Sequence, residues 1–339
     1  RASGFFFALP TMATADAMYR RMAPLYRRLF SAGAMPSLVL AHGRRDLNDG
    51  FTGSIRLDAS DNAKRSDYPE DSSVMCSAWL ADDRRKVFLA HVGVGTVDQT
   101  LLGVLPSKYQ SLRLWALSDK VLIVDEVHSY DAYMSRELQT LLEFHAALGG
   151  SAILLSATLP ARERSKLASA FATGLGCNAK RDTPPSAYPL VSVVTSDGDT
   201  HLQPATRPDR HRRLTVGRVA TPEEAARRIL GAAQEGCAVA WIRNSVDDAI
   251  EALELVRSLD RNLEPVLLHA RFPMGRRLEI EERVREVLGP GERAGRGGFI
   301  LIGTQILESS LDYDVDLMIS DLAPIDLLIQ RAGRIWRHA

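Results

Sequence analysis

Val121-Leu122-Ile123-Val124-Asp125-Glu126-Val127-His128 decides how this chain is read. Four consecutive branched apolar residues predict a strand buried on both faces, as in a parallel sheet. Two carboxylates follow where that strand ends, the edge at which open α/β sheets bind ligands. Side-by-side acids are costly near a core unless a metal or a reaction uses them. Nucleotide hydrolysis has a use for both: one carboxylate for Mg²⁺, and a neighbour that orients or deprotonates water. The plainer alternative is a helix start, since acids favour a first helical turn.

The surrounding chain fits a large α/β protein. Its 339 residues are enough for two domains with proper cores, and a 45% apolar, 25% charged composition is ordinary for a globular protein. Lysine plus arginine (42) equals aspartate plus glutamate (42), so any polyanion site must be a local groove. The three cysteines, Cys76, Cys177 and Cys237, form no metal-ligand spacing, and an odd, sparse count suits a reducing compartment. No apolar run approaches the roughly 20 residues of a membrane helix, and no secretory signal is present. The expected location is cytoplasmic, with no membrane partner.

Short apolar runs alternate with helical patterns, the signature of βαβ units. In the first half, strands are predicted at Phe5–Leu9, Leu38–Ala41, Val87–Ala90, Val121–Val124, Ala152–Leu155 and Leu190–Val194, with helical spacing over Thr14–Phe30 and Ser135–Leu148. In the second, strands are predicted near Leu214–Val219, Ala238–Ile242, Val266–Leu268, Phe299–Ile302 and Leu317–Ile319. Thr221-Pro222-Glu223-Glu224 reads as a helix start: a capping residue, proline next, and acids in the first turn. Residues 43–73 are rich in Asp, Ser, Asn and Gly and read as a surface insertion. Turn formers across 196–212 mark a linker, leaving domains at 1–195 and 213–339.

Three further motifs carry chemistry. Leu154-Leu155-Ser156-Ala157-Thr158-Leu159-Pro160 is another strand ending in hydroxyls, one βα unit after the acid pair. Ser156 and Thr158 are placed to hydrogen-bond the acidic loop and sense the nucleotide, although an ordinary helix cap uses the same residues. In Gln330-Arg331-Ala332-Gly333-Arg334-Ile335-Trp336-Arg337, arginines three apart form a narrow band if the segment is helical. Such a band suits phosphate oxygens. Gly303-Thr304-Gln305-Ile306-Leu307-Glu308-Ser309-Ser310-Leu311-Asp312 follows a strand and suits a phosphate backbone or ribose, with Asp312 as a ribose acceptor.

Other conspicuous residues are assigned to structure. Met12, Met18 and Met22 share an apolar helix face. Trp79, Trp115 and Trp241 read as buried aromatics, Trp336 as a packing residue, and His42 and His91 as hydrogen-bonded structural histidines.

Taken together, the motifs resemble those of superfamily 2 helicases, and specifically the CRISPR-associated helicase-nuclease of type I interference systems. The resemblance rests on Ala8-Leu9-Pro10-Thr11-Met12-Ala13-Thr14, Val94-Gly95-Thr96-Val97-Asp98-Gln99, Asp125-Glu126-Val127-His128-Ser129-Tyr130-Asp131, Ser156-Ala157-Thr158-Leu159-Pro160, Leu268-His269-Ala270-Arg271-Phe272, and the two C-terminal segments. Seven motifs in order span nearly the whole chain.

The resemblance implies two RecA-like domains, each a mostly parallel sheet flanked by helices, with a nucleotide cleft between them. It implies ATP and Mg²⁺ as cofactors. Asp125 would hold the metal through water, and Glu126 would activate the attacking water. His128 and Gln330 would couple the acidic loop to the second domain, and Arg331, Arg334 and Arg337 would serve the nucleotide phosphates. Pro10, Thr11, Thr96, Arg271 and Thr304 would grip the backbone of single-stranded DNA, which requires no base reading. The implied partners are an RNA-guided surveillance complex and an upstream HD nuclease domain.

Two departures qualify the resemblance. No G-x-x-x-x-G-K-[ST] loop occurs, and no histidine forms an His-Asp metal pair. Both ends read as cut, so the expectation is a helicase-core piece that by itself neither hydrolyses ATP nor unwinds. The rival readings are a DEAD/DEAH-type RNA helicase and a catalytically inactive RecA-like binding module.

Overall fold

The computed structural model describes residues 2–31, 36–43, 49–52, 55–56, 76–77, 86–177, 185, 187–206, 213–291, 294–309 and 311–337. The chain divides into two compact units, Arg1–Arg210 and His211–Ala339. Most of the 43–73 insertion, Trp79 and residues 207–212 lie outside the described residues.

In the first unit the strands are Gly4–Leu9 (β1), Leu38–Ala41 (β2), Ile55–Arg56 (β3), Cys76–Ser77 (β4), Val92–Thr96 (β5), Lys120–Val124 (β6) and Ser151–Leu154 (β7). Five of them form a parallel sheet in the order β2–β5–β1–β6–β7, and β3 pairs with β4 separately. Strand β6 buries Leu122 and Val124, while Val121 and Ile123 are only half-buried. The run expected to be covered on both faces is therefore fully packed on one.

Register brings the strand ends level. Ala8 aligns with Val124, Leu9 with Thr96, and Val124 with Leu154. The Asp125 amide donates to the Ala8 carbonyl at 3.0 Å, and the Leu155 amide to Val124 at 2.8 Å. Pro10, Thr96, Asp125 and Leu155 thus leave the sheet along one carboxyl edge.

Several elements differ from the sequence expectations. Val87–Leu89 is a 3₁₀ turn, and the strand is Val92–Thr96 instead. Gly93 and Gly95 weaken that strand's apparent propensity but serve its packing. A Cβ on Gly93 would lie 2.3 Å from the Phe6 ring, and one on Gly95 2.3 Å from the Ala41 carbonyl. The helix expected over Thr14–Phe30 spans Met12–Met22, because Pro24 cannot continue it. Its Met18 and Met22 do pack against the core.

The strand near residue 190 is Val191–Thr195 (β8), but it pairs antiparallel with Gly198–Leu202 (β9) outside the main sheet. Asp197-Gly198-Asp199, expected to lie in a linker, belong to that hairpin, where Gly198 takes φ 135°. No strand forms over Leu214–Val219, where Val216 stands in solvent.

The second unit has Val239–Ile242 (β10), Val266–Leu268 (β11), Ile300–Gly303 (β12) and Leu317–Ser320 (β13), parallel in the order β11–β12–β10–β13. Alternation decides its layers. Val239, Trp241, Ile300 and Ile302 face helices Pro222–Gln234 and Val246–Leu259, whereas Ala240, Ile242 and Leu301 face helix Met274–Leu288. Each large apolar side chain so buried contributes roughly 1.5–3 kcal/mol. Thr221 caps its helix as expected, accepting the Glu224 amide at 3.2 Å, with Pro222 next. No described helix is long and apolar enough to cross a membrane.

Candidate active site

The acid pair occupies a sharply turned segment. After β6 the chain reverses at Glu126, whose φ 52° and ψ 45° are left-handed, an expensive conformation for a side-chain-bearing residue. Its neighbours hold that conformation. Ser129 Oγ donates to the Glu126 carbonyl at 2.7 Å, Tyr130 Oη to the Asp125 carbonyl at 2.9 Å, and the Val127 amide to Leu155 at 3.1 Å. Asp131 then caps helix Ala132–Ala147 by accepting the Met134 amide at 2.8 Å. The plainer reading as a helix start thus applies to Asp131, seven residues after Val124, and not to the acid pair.

Asp125 Oδ1 accepts the Glu126 amide at 2.9 Å, and no described lysine or arginine pairs with this carboxylate. His128 Nδ1 lies 2.8 Å from Ser156 Oγ and 3.4 Å from Glu126 Oε2, with the imidazole 2% exposed. Ser156 Oγ also accepts the Thr158 amide at 3.3 Å, while the buried Thr158 hydroxyl has no partner among the described residues. Of the two hydroxyls, that of Ser156 touches the acidic loop and that of Thr158 does not bond it. Burial raises the Tyr130 phenol far above its usual range, and the carboxylates of Asp125, Asp98 and Glu126 add to this. Asp98 itself sits in the first turn of the short helix after β5.

Three of the predicted strand-binding residues, Pro10, Thr11 and Thr96, lie along this edge of the first unit. Thr11 caps helix Met12–Met22 through a reciprocal pair of hydrogen bonds with Thr14, and Pro10 precedes it. Thr96, almost fully buried, ends β5.

In the second unit the arginines do not form one helical band. Helix Ile325–Ala332 carries Gln330 and Arg331 and stops at Gly333, which puts Arg334 and Arg337 in the turn beyond. Arg331, 1% exposed, points inward: Nε donates to Glu308 Oε1 at 2.8 Å and Nη1 to Ser320 Oγ at 2.6 Å. Its guanidinium is thus committed to Glu308, Ser320 and the Asp321 carbonyl. Arg334 donates to the Glu308 carbonyl and lies over the Tyr313 ring at 5.4 Å. Asp312, expected to meet a ribose, stands 2.8 Å from Arg337 Nε and 4.0 Å from Arg334 Nη1. Thr304 is buried at the end of β12, with its amide 3.3 Å from the Leu268 carbonyl. Arg271 is exposed and paired with Asp247 at 2.6 Å. Sequence reading missed Glu308, Asp321 and Arg243, whose partners lie too far along the chain for any spacing pattern. Within the Leu268–Phe272 motif, His269 stacks on Phe272 at 4.3 Å.

Trp241 is buried as expected, but Trp115 is 67% exposed and is no core residue. His42 Nε2 lies 3.2 Å from Asp16, and His91 bonds Ser37, so both are structural.

Comparison with known proteins agrees with this geometry. The family described as CRISPR-associated nuclease/helicase Cas3, C-terminal, matches residues 235–339. The chain is 38% identical to the CRISPR-associated endonuclease/helicase Cas3 of Escherichia coli (strain K12), over 99% of this chain and 38% of that protein. It superposes on a crystal structure of T. fusca Cas3-ATP with a TM-score of 0.77 at 33% identity, covering 99% of this chain and 38% of that one. A CRISPR RNA-guided surveillance complex in a pre-nicking state matches with a TM-score of 0.69 at 31% identity, over 99% and 36% of the respective chains. The chain thus spans well under half of the curated relatives it matches. With the motifs in order and the fold shared, it belongs to the Cas3 family of CRISPR-associated superfamily 2 helicase-nucleases.

Proposed function

We propose that this chain is the ATP-dependent motor core of a type I CRISPR interference helicase-nuclease, pulling single-stranded DNA in antiviral defence. The observation that carries the reading is the Asp125–Glu126 turn at the carboxyl edge of a parallel sheet, held in a left-handed conformation by Ser129 and Tyr130. Strain kept at one acid by dedicated neighbours is a feature of working sites.

Mg²⁺ fits Asp125, whose carboxylate is engaged only by its own turn among the described residues. Mg²⁺ is commonly held by one or two carboxylates, waters and substrate phosphates, and it would neutralise charge on the transferred phosphoryl group. Glu126 orients and deprotonates water. Arg334 and Arg337 supply the planar donors that suit phosphate oxygens. Pro10, Thr11, Thr96, Arg271 and Thr304 carry the DNA backbone contacts, His128 and Gln330 the coupling. A surveillance complex of the kind named in the matched structure recruits the motor, and an HD nuclease domain cuts what it pulls.

The test is ATP hydrolysis by the full-length protein. Turnover lost in Glu126→Gln, with ATP still bound, supports the reading; turnover unchanged by that substitution defeats it. The 339-residue chain alone, which contains no G-x-x-x-x-G-K-[ST] loop, is expected to show no ATPase above the same control.

A further inference from the structure

A closed ring of hydrogen bonds joins three strand ends in the second unit. Gln305 Nε2 donates to the Asn244 carbonyl at 3.0 Å, after β12 and β10 respectively. The Asn244 amide donates to Asp321 Oδ2 at 2.9 Å, after β13. The Asp321 carbonyl accepts Arg331 Nη1 at 3.0 Å, and Arg331 Nε reaches Glu308 Oε1 at 2.8 Å. The Glu308 amide closes the ring on the Gln305 carbonyl at 3.0 Å. Arg243 braces it from outside, with Nε 3.0 Å from both Asp321 oxygens.

Two proposed functional groups hang from this ring on either side of Glu308. Thr304 immediately precedes Gln305, and the Leu307 amide donates to its carbonyl at 2.9 Å. Arg334 donates to the Glu308 carbonyl itself. Glu308 and Arg331 are 7% and 1% exposed, and a charge pair this deep is seldom a net gain in stability over apolar packing. Its value must lie in geometry. The pair makes one rigid piece of the DNA-contacting turn and the phosphate-contacting arginine.

We propose that Glu308 and Arg331 are a positioning pair that couples DNA contact at Thr304 to the placement of Arg334, and that Arg331 is not a nucleotide ligand. The proposal rests on the ATP-driven DNA motor described above. If effector and nucleotide are linked through this pair, its loss removes a coupling of about 5–150-fold, the usual range for linked sites.

The experiment compares full-length wild type with Glu308→Gln, which keeps shape and removes charge, and Glu308→Asp, which keeps charge and shortens the reach. The readout is ATPase with single-stranded DNA divided by ATPase without it, together with KM for ATP. That ratio is indifferent to the fraction of protein folded, so a destabilised variant still reports. The expected result is a ratio reduced at least fivefold in both variants, the low end of usual coupling, with KM for ATP within about twofold of wild type. An unchanged ratio overturns the proposal, as does a large rise in KM in Arg331→Lys with the ratio preserved. If neither Glu308 variant folds, the pair is a folding element only and the proposal fails. Wild type with no DNA stimulation would instead defeat the motor reading itself.

Discussion

Ser156 Oγ lies 2.8 Å from His128 Nδ1, so the hydroxyl ending one strand holds the histidine that follows the acid pair on its neighbour. The imidazole is otherwise enclosed, with Glu126 at 3.4 Å on the same nitrogen. Losing one hydrogen bond of this kind costs about 0.5–1.5 kcal/mol. Ser156→Ala should therefore lower stability by about that amount, read by denaturant unfolding, and reduce DNA-stimulated ATPase in the full-length protein at unchanged KM for ATP. A variant as stable and as active as wild type would remove the contact from the account.

Glu126 adopts φ 52°, where glycine is normally favoured. Glu126→Gly should be more stable than Glu126→Ala by about 1 kcal/mol, the approximate cost of the left-handed region for a residue with a Cβ. Both should lack ATP hydrolysis. Thermal melting of the two variants side by side checks this, and an alanine variant equal to glycine would show that the turn relaxes on substitution.

Glycines separate close packing from open space. At Gly95 an added Cβ would meet Ala41 backbone at 2.3 Å, whereas at Gly231, inside helix Pro222–Gln234, nothing lies within 4 Å. Gly95→Ala should destabilise by about 1–3 kcal/mol through overpacking. Gly231→Ala should stabilise by roughly 0.5–1 kcal/mol through helix propensity. Chemical denaturation of the two variants gives opposite signs on this account.

Burial lowers the pKa of His145, whose Nε2 lies 3.0 Å from the Ser151 carbonyl. The folded unit keeps the ring neutral, while the unfolded chain takes up a proton near the ordinary value of 6.5. Stability from this group is complete above that pH and lost as the pH falls below it. His145→Phe should flatten the decline between about pH 6.5 and 5 relative to wild type, since histidine titrates there. Identical slopes in both proteins would assign the acid sensitivity elsewhere.

Much of the first unit's site was legible because its information is local. A four-residue apolar run, the acids after it and the hydroxyls of the next strand all lie within one βα unit, and the level strand register makes sequence order spatial order. The glycine-bearing strand Val92–Thr96 escaped because its fitness lies in what packs over Gly93 and Gly95, which propensity does not see. In the second unit the three arginines were visible, but Gly333 ended the helix between them and Glu308 claimed Arg331 across 23 residues. Long-range ion pairs leave no spacing in a sequence, so the polar ring at Asp321 was invisible until the strands were assembled.

In the proposed function the acid pair drives movement on single-stranded DNA. ATP hydrolysis by the full-length protein, measured with single-stranded DNA and with RNA of the same sequence, tests it most directly. Strong stimulation by DNA, weaker stimulation by RNA, and no turnover with either in Glu126→Gln are expected. Preference for RNA, or a Glu126→Gln variant that still responds to DNA, would contradict it.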